Sequence, residues 1–268
     1  MKASEILEFI KNLDLEKYFY ENNLGKLMGI NKITKPKILG PWATSESTGS
    51  EVFLPEGADL TRLHAIVRKR KIINVLEFGS GRSTKIIASA LKLNKLDYSE
   101  QISKIRRKNP FHVCSIESEK KYAIEAEEVC KLEGLEEFVT VFLTPAEQIS
   151  YKGFICGKYK SIPSYCPDLI YIDGPMPMSY KNGPDQYMNL NHSEITNITC
   201  DILILEPILL PGTIVIIDGM TNNSRFIRRN LQRRWSSFED LKNDYTVLIL
   251  DEEPLGIHHI NQLRFQNS

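Results

Sequence analysis

Val75-Leu76-Glu77-Phe78-Gly79-Ser80-Gly81-Arg82-Ser83-Thr84 is the stretch on which the reading of this chain turns. Residues 74–78 form a short apolar strand that stops at Gly79 and Gly81. Helical spacing then resumes over 83–93 through Ile86, Ile87, Ala90 and Leu91. Glycines in such a turn let the backbone approach a ligand closely, and the helix start offers unpaired N–H groups. In an open α/β sheet, ligands bind outside the carboxyl ends of the strands at such a point. Two phosphate-binding patterns fit poorly. A P-loop needs Gly-Lys-Ser/Thr, which the chain lacks. A dinucleotide turn calls for Gly or Ala where Ser83 stands, and for an acid ~20 residues further on. The acid ending the next strand, Glu117, lies 36 positions beyond Gly81 (117 − 81), a gap that the polar insertion between them partly explains. Glu77 tips the balance: a carboxylate inside the motif repels a pyrophosphate but suits a ligand with a cationic amino-acid end. A nucleoside with a positive amine and no phosphate is the better match.

Outward from this motif, helix and strand signals alternate. Helices are expected over 59–69 (Asp59 as cap), 119–132 (stop at Gly134), 200–210 and 223–235. Further strands are expected over 112–116, 138–143, 168–172, 213–217, 245–250 and 259–265. Continuously apolar strands separated by helices indicate a parallel sheet covered on both faces. The link 251–258 is short, so the last two strands are expected to form an antiparallel hairpin. The expected fold is therefore a three-layer, Rossmann-like α/β domain over residues 59–268, with a seven-stranded, mostly parallel sheet. Residues 94–109 read as a solvated polar insertion. Residues 1–58 form an N-terminal extension, helical over 3–22 and loop-like over 34–57. A lid, a docking arm and a packing extension all fit it.

The 268 residues carry 34 Lys+Arg against 34 Asp+Glu, so bulk positive charge for nucleic-acid binding is lacking. Hydrophobic residues at 42% and charged residues at 25% place the chain among ordinary globular proteins. The longest apolar run, 202–217, is broken by Glu206, Pro207, Pro211 and Gly212, so no membrane span is expected. The start of the chain lacks the pattern of a secretory signal. Five widely spaced cysteines (Cys114, Cys130, Cys156, Cys166, Cys200) fit reduced, mostly buried thiols. A soluble, cytoplasmic protein is expected.

The segment 77–84 resembles the first motif of class I S-adenosylmethionine-dependent methyltransferases, in the form common among small-molecule and sugar O-methyltransferases. Cys114-Ser115-Ile116-Glu117 resembles that family's second strand, Thr144-Pro145-Ala146-Glu147 its adenine-contacting loop, residues 168–174 its fourth strand and 210–218 its fifth. The resemblance spans about residues 54–265, the final hairpin included. It implies S-adenosylmethionine as cofactor and O-methylation of a small-molecule or sugar-like acceptor. By position, Glu77, Gly79, Ser80, Gly81, Ser83 and Thr84 would hold the methionine part, Glu117 the ribose hydroxyls, and Ala146 the adenine; Asp173 would line the pocket.

Some such enzymes hold Mg²⁺ with acids at the positions of Asp173 and Asp218, where it would lower the acceptor hydroxyl's pKa. Here Gly219 stands where catechol-type enzymes have Asn, and Ile217 where sugar-modifying ones have an acid; Asn222 and Asn223 are the available substitutes. His192, in the polar segment 179–197, is a candidate general base beside Asp173, and an ordinary surface histidine otherwise. Tyr180, Asp185 and Tyr187 are candidate acceptor-pocket residues, and His258-His259 falls in the expected hairpin turn. Arg225, Arg228, Arg229, Arg233 and Arg234 form a basic run, read as a solvated helix face offset by Glu239, Asp240 and Asp244. Asp173-Gly174-Pro175-Met176 stands where base-methylating RNA enzymes carry a Pro-Pro-Tyr-type tetrad, which lowers a nucleic-acid substrate. Two rival readings remain: a non-catalytic nucleoside-binding or docking module, and an NAD(P)-linked oxidoreductase.

Overall fold

The motif strand β1 (Asn74–Phe78) is buried at all five residues, which requires neighbours on both edges and cover on both faces. A computed structural model describes residues 3–33, 57–175, 180–181, 190, 196 and 198–268. In it β1 lies mid-sheet, parallel to β2 (His112–Glu117) on one side and β6 (Leu169–Ile172) on the other. With β3 (Val139–Leu143), β8 (Ile214–Asp218), β9 (Trp235–Asp240) and β10 (Tyr245–Leu250), the seven-stranded order is β3-β2-β1-β6-β8-β10-β9. Only β10 runs antiparallel, to both β8 and β9. The register aligns Phe78 with Ile116 and Ile172, and Ile172 with Ile217. The carboxyl ends of β1, β2, β6 and β8 thus share one rim, so the residues just past them meet there.

Alternation along the strands divides the core in two. One face packs Val75, Val113, Tyr171 and Ile216 against α1 (Ala3–Lys11), α4 (Gly57–Lys69), α5 (Arg82–Ile102) and α6 (Lys120–Leu132). The other packs Leu76, Phe78, Ile170 and Val215 against α7 (Asp201–Leu205), α8 (Thr221–Asn230) and residues of a second sheet. That second sheet, β5-β4-β7, joins β4 (Ala146–Tyr151), β5 (Phe154–Tyr159) and β7 (Tyr180–Lys181). It was not anticipated. Lys152 and Gly153 both take positive φ (50° and 83°) at the tip of β4–β5, the conformation of a tight hairpin turn.

Four expectations need correction. The edge hairpin is β9–β10, and residues 259–265 belong to the helix α9 (Ile257–Asn267). His259 therefore lies in no hairpin turn; its ring accepts from Leu255 N and meets the Pro211 carbonyl at 2.9 Å. The helix expected over 223–235 ends at Asn230, because the chain there turns into β9. The segment 94–109 is not a simple solvated insertion. Helix α5 continues to Ile102, Asn94 is buried with its amide on the carbonyls of Val67 and Ile72, and Arg107 pairs with Asp168 at 2.6 Å. Asp59 lies inside α4's first turn, paired with Arg62, and does not cap the helix.

The N-terminal helices are continuous with the core. Ile6, Leu7 and Ile10 of α1 join the main cluster, while α2 (Leu15–Glu21) and α3 (Leu24–Met28) pack Phe19, Leu24 and Met28 against Leu60 and Ile86. The loop expected over 34–57 lies, apart from Gly57, outside the described residues. Four cysteines are buried, Cys166 is exposed, and all five are free thiols.

Candidate functional site

The β1–α5 turn is built on two glycines with different duties. Gly79 has φ +92°, and a Cβ there would stand 3.0 Å from Asp173 O and from Gly174 N and Cα. A Cβ on Gly174 would stand 2.8 Å from Gly79 Cα. The loops that follow β1 and β6 therefore touch through bare backbone, and the chain's own packing demands both glycines. Gly81 is unlike them. Its φ of 173° is ordinary extended backbone, and an added Cβ would meet nothing within 4 Å. Among the described residues nothing requires glycine at 81; the space its side chain would fill is open there.

Glu77 is completely buried at the end of β1. Its two oxygens accept from Ser83 Oγ at 2.6 Å and Thr84 Oγ1 at 2.7 Å, and Thr84 Oγ1 in turn accepts from Gly81 N at 3.0 Å. A hydrogen-bonded chain thus ties the strand end, the turn and the first turn of α5. Burial pushes the Glu77 carboxyl up to about 7, partly opposed by these hydroxyl donors. Glu77, Ser83 and Thr84 are drawn together as expected, but as an enclosed strut beneath the turn.

Glu117 ends β2 on the same rim and stays 5% exposed. One oxygen accepts from Ser80 N (2.8 Å) and Ser80 Oγ (3.0 Å); the other accepts from Ser118 N (2.6 Å) and Glu119 N (2.8 Å). Fixed by three backbone N–H groups, the carboxylate faces the glycine turn with its paired oxygens held in place.

Ala146 starts β4 fully buried, packed with Tyr180 and Leu190 and paired in register with Tyr159. Sequence reasoning passed over Tyr159. Its ring stacks on Phe78 at 5.7 Å, and its buried hydroxyl has no hydrogen-bond partner among the described residues. Burial raises the Tyr159 hydroxyl well above its ordinary range, and the charges of Glu117, Asp201, Tyr180 and Asp173 add to the rise. An orphaned hydroxyl next to the rim acids is an unmet demand for a partner. A Lys-Gly pair between two alternating runs was the signal that would have placed β4–β5, and Tyr159 with it.

Asp173 is exposed at the lip, its N–H on Phe78 O at 3.0 Å. Asp218 serves a different neighbourhood: its carboxylate accepts from the Tyr171 hydroxyl. Burial and the charge of Asp59 push Asp218 up to about 6. Among the described residues, no group of three or more His, Cys, Asp or Glu is arranged to hold a metal. The cation expected at Asp173 and Asp218 thus gains no third ligand there, and Asn223, a suggested substitute, is buried with its amide on Thr199. His192, Asp185 and Tyr187 lie outside the described residues; Tyr180 belongs to β7 of the second sheet, paired with and packed beside Ala146.

The strand order defines a Rossmann-like α/β fold, the class of sheet in which ligands bind outside the carboxyl ends of the strands. No family model and no curated protein matches the chain. Among solved structures, similarity extends to a putative caffeoyl-CoA O-methyltransferase from Staphylococcus aureus, at 15% identity over 88% of this chain and 99% of that one, TM-score 0.46. An O-methyltransferase from Bacillus cereus in complex with SAH shows 13% identity over 93% and 97%, TM-score 0.44. The O-methyltransferase TomG from Streptomyces achromogenes in complex with SAM shows 13% over 94% and 97%, TM-score 0.42. With all three scores below 0.5, the fold assignment rests on the strand order itself. Among the described residues no helix is long and apolar enough to cross a membrane.

Proposed function

We propose that this chain is an S-adenosylmethionine-dependent methyltransferase acting on a hydroxyl of a small-molecule or sugar-like acceptor. The observation that carries the reading is the open space over Gly81 beside the fixed carboxylate of Glu117. A glycine that the protein's own packing does not need, next to an acid with paired oxygens, suits a sugar with two vicinal hydroxyls. The Tyr159 hydroxyl supplies a further polar group. The N-terminal hydroxyls of α5 are spent on Glu77, and that acid sits where a pyrophosphate would need positive potential. This disfavours a dinucleotide.

When bound, the cofactor supplies an electrophilic methyl group on a sulfonium; the protein supplies alignment and electrostatics. Glu117 and the turn 79–81 orient the nucleoside. Asp173, exposed where the β6 loop meets Gly79, would accept the proton of an acceptor hydroxyl. One Asp218 oxygen already accepts from the Tyr171 hydroxyl, and the proposal rests on no metal. Calorimetry with S-adenosylhomocysteine tests the reading. Glu117→Ala should weaken binding by more than ~1.5 kcal/mol, over tenfold, as for a lost charge-assisted bond. An unchanged affinity would remove Glu117 from the site.

A further inference from the structure

The arginine run read as a solvated helix face does more than face solvent. Helix α8 and the edge strand β9 enclose a groove of about 480 Å³, lined by Arg225, Arg228, Arg229 and Arg233 together with Trp235 and Leu248. Four guanidinium groups meet one lining carboxylate, Glu239, in a chain whose formal net charge is zero. Such local concentration is a binding potential, because fields from several like charges add within a groove.

The hydrogen bonds show which donors are spent. Glu239 takes Nε of Arg225 at 3.2 Å and one terminal nitrogen of Arg228 at 2.8 Å. Each guanidinium carries five N–H donors, so both keep most of theirs while the shared carboxylate fixes their positions. Arg229 is exposed and enters no ion pair among the described residues. Arg233 is committed, to Glu252 and to the carbonyls of Glu206 and Leu209. The far end is rigid: the buried Glu206 accepts from Gln232 N, Arg233 N and Trp235 Nε1 at 2.8 to 3.0 Å. The groove is thus a built floor with three partly free guanidinium groups along one wall.

We propose that this groove binds a nucleoside diphosphate, with its phosphates on Arg225, Arg228 and Arg229 and its base against Trp235. Arginine forks match phosphate oxygens in pairs, several converge here, and the half-buried Trp235 ring offers a face to a planar base. The volume suits a ligand of nucleotide size. The groove lies between α8 and the β9 edge of the sheet, so it is separate from the β1–β2 rim and the inference stands apart from the methyltransferase reading.

The test is calorimetry of the full chain with ADP, beside Arg229→Ala and Gly81→Ala. One saturable site is expected, weakened at least tenfold by Arg229→Ala and unchanged by Gly81→Ala. Arg229 is exposed on a helix, so its replacement leaves folding intact. Absence of saturable binding would overturn the proposal, as would binding that survives Arg229→Ala but fails in Gly81→Ala. Tighter, Arg229-dependent binding of a single-stranded RNA 20-mer than of ADP would also overturn it, in favour of a polymer.

Discussion

Adding one methyl group at each of two neighbouring glycines separates folding from binding. At Gly79 the new Cβ stands 3.0 Å from three backbone atoms of residues 173 and 174, which no rotamer relieves, and φ is +92°. Backbone strain of this kind costs about 1–3 kcal/mol. At about 2–4 °C per kcal/mol for a chain of this size, Gly79→Ala should lower Tm by roughly 4–12 °C if the cost lies at about 2–3 kcal/mol. At Gly81 the same methyl meets none of the described residues within 4 Å, and φ of 173° suits any residue. Stability should hold or rise by about 0.4–1 kcal/mol, because alanine restricts the unfolded chain. The methyl then projects into the space assigned to the cofactor, where overpacking costs about 1–3 kcal/mol, or about 5- to 150-fold in affinity. Differential scanning fluorimetry reads the first effect and calorimetry with S-adenosylhomocysteine the second. Wild-type affinity in Gly81→Ala would refute the placement of the crevice, and an unshifted Tm in Gly79→Ala would refute the backbone contact.

Tyr159→Phe removes a buried hydroxyl that lacks a partner, so the ligand-free protein should keep or gain about 1 kcal/mol while S-adenosylhomocysteine binds several-fold more weakly. Loss of stability with unchanged affinity would make Tyr159 a packing residue only. Glu77 predicts a pH dependence. Its carboxyl is raised on folding to about 7, so its contribution to stability is fully present below the ordinary range near 4.5 and is lost as pH rises through 7. Tm should therefore fall between pH 5 and 8 less steeply in Glu77→Gln than in wild type; parallel slopes would contradict the buried carboxylate.

The motif strand and its turn were legible because their signals are local: a five-residue apolar run, two glycines and a renewed helical spacing determine one another. Glu117, Asp173 and Asp218 were legible as strand-ending acids, but the roles expected of them came from the family resemblance, and Asp218 turned out to serve Tyr171. The edge hairpin was not legible. Strand β9 reads Trp-Ser-Ser-Phe-Glu-Asp, polar because one face lines the arginine groove, so apolar periodicity passed over it. Helix α9 misled in the opposite way. It buries His259, Gln262 and Gln266 at helical spacing, polar residues of which His259 and Gln262 are satisfied by distant partners, Pro211 O and Asp168. A hydrophobic pattern cannot report such a face. The fate of Glu77 was hidden for a related reason. A strand-end acid looks the same in sequence whether it meets a ligand or two hydroxyls four to five residues after Gly79, and only packing decides which.

The most direct measurement is a side-by-side calorimetric titration of the wild-type chain with S-adenosylhomocysteine and with NADH. One saturable site for S-adenosylhomocysteine and none for NADH is the predicted result. Saturable NADH binding without S-adenosylhomocysteine binding would contradict the account.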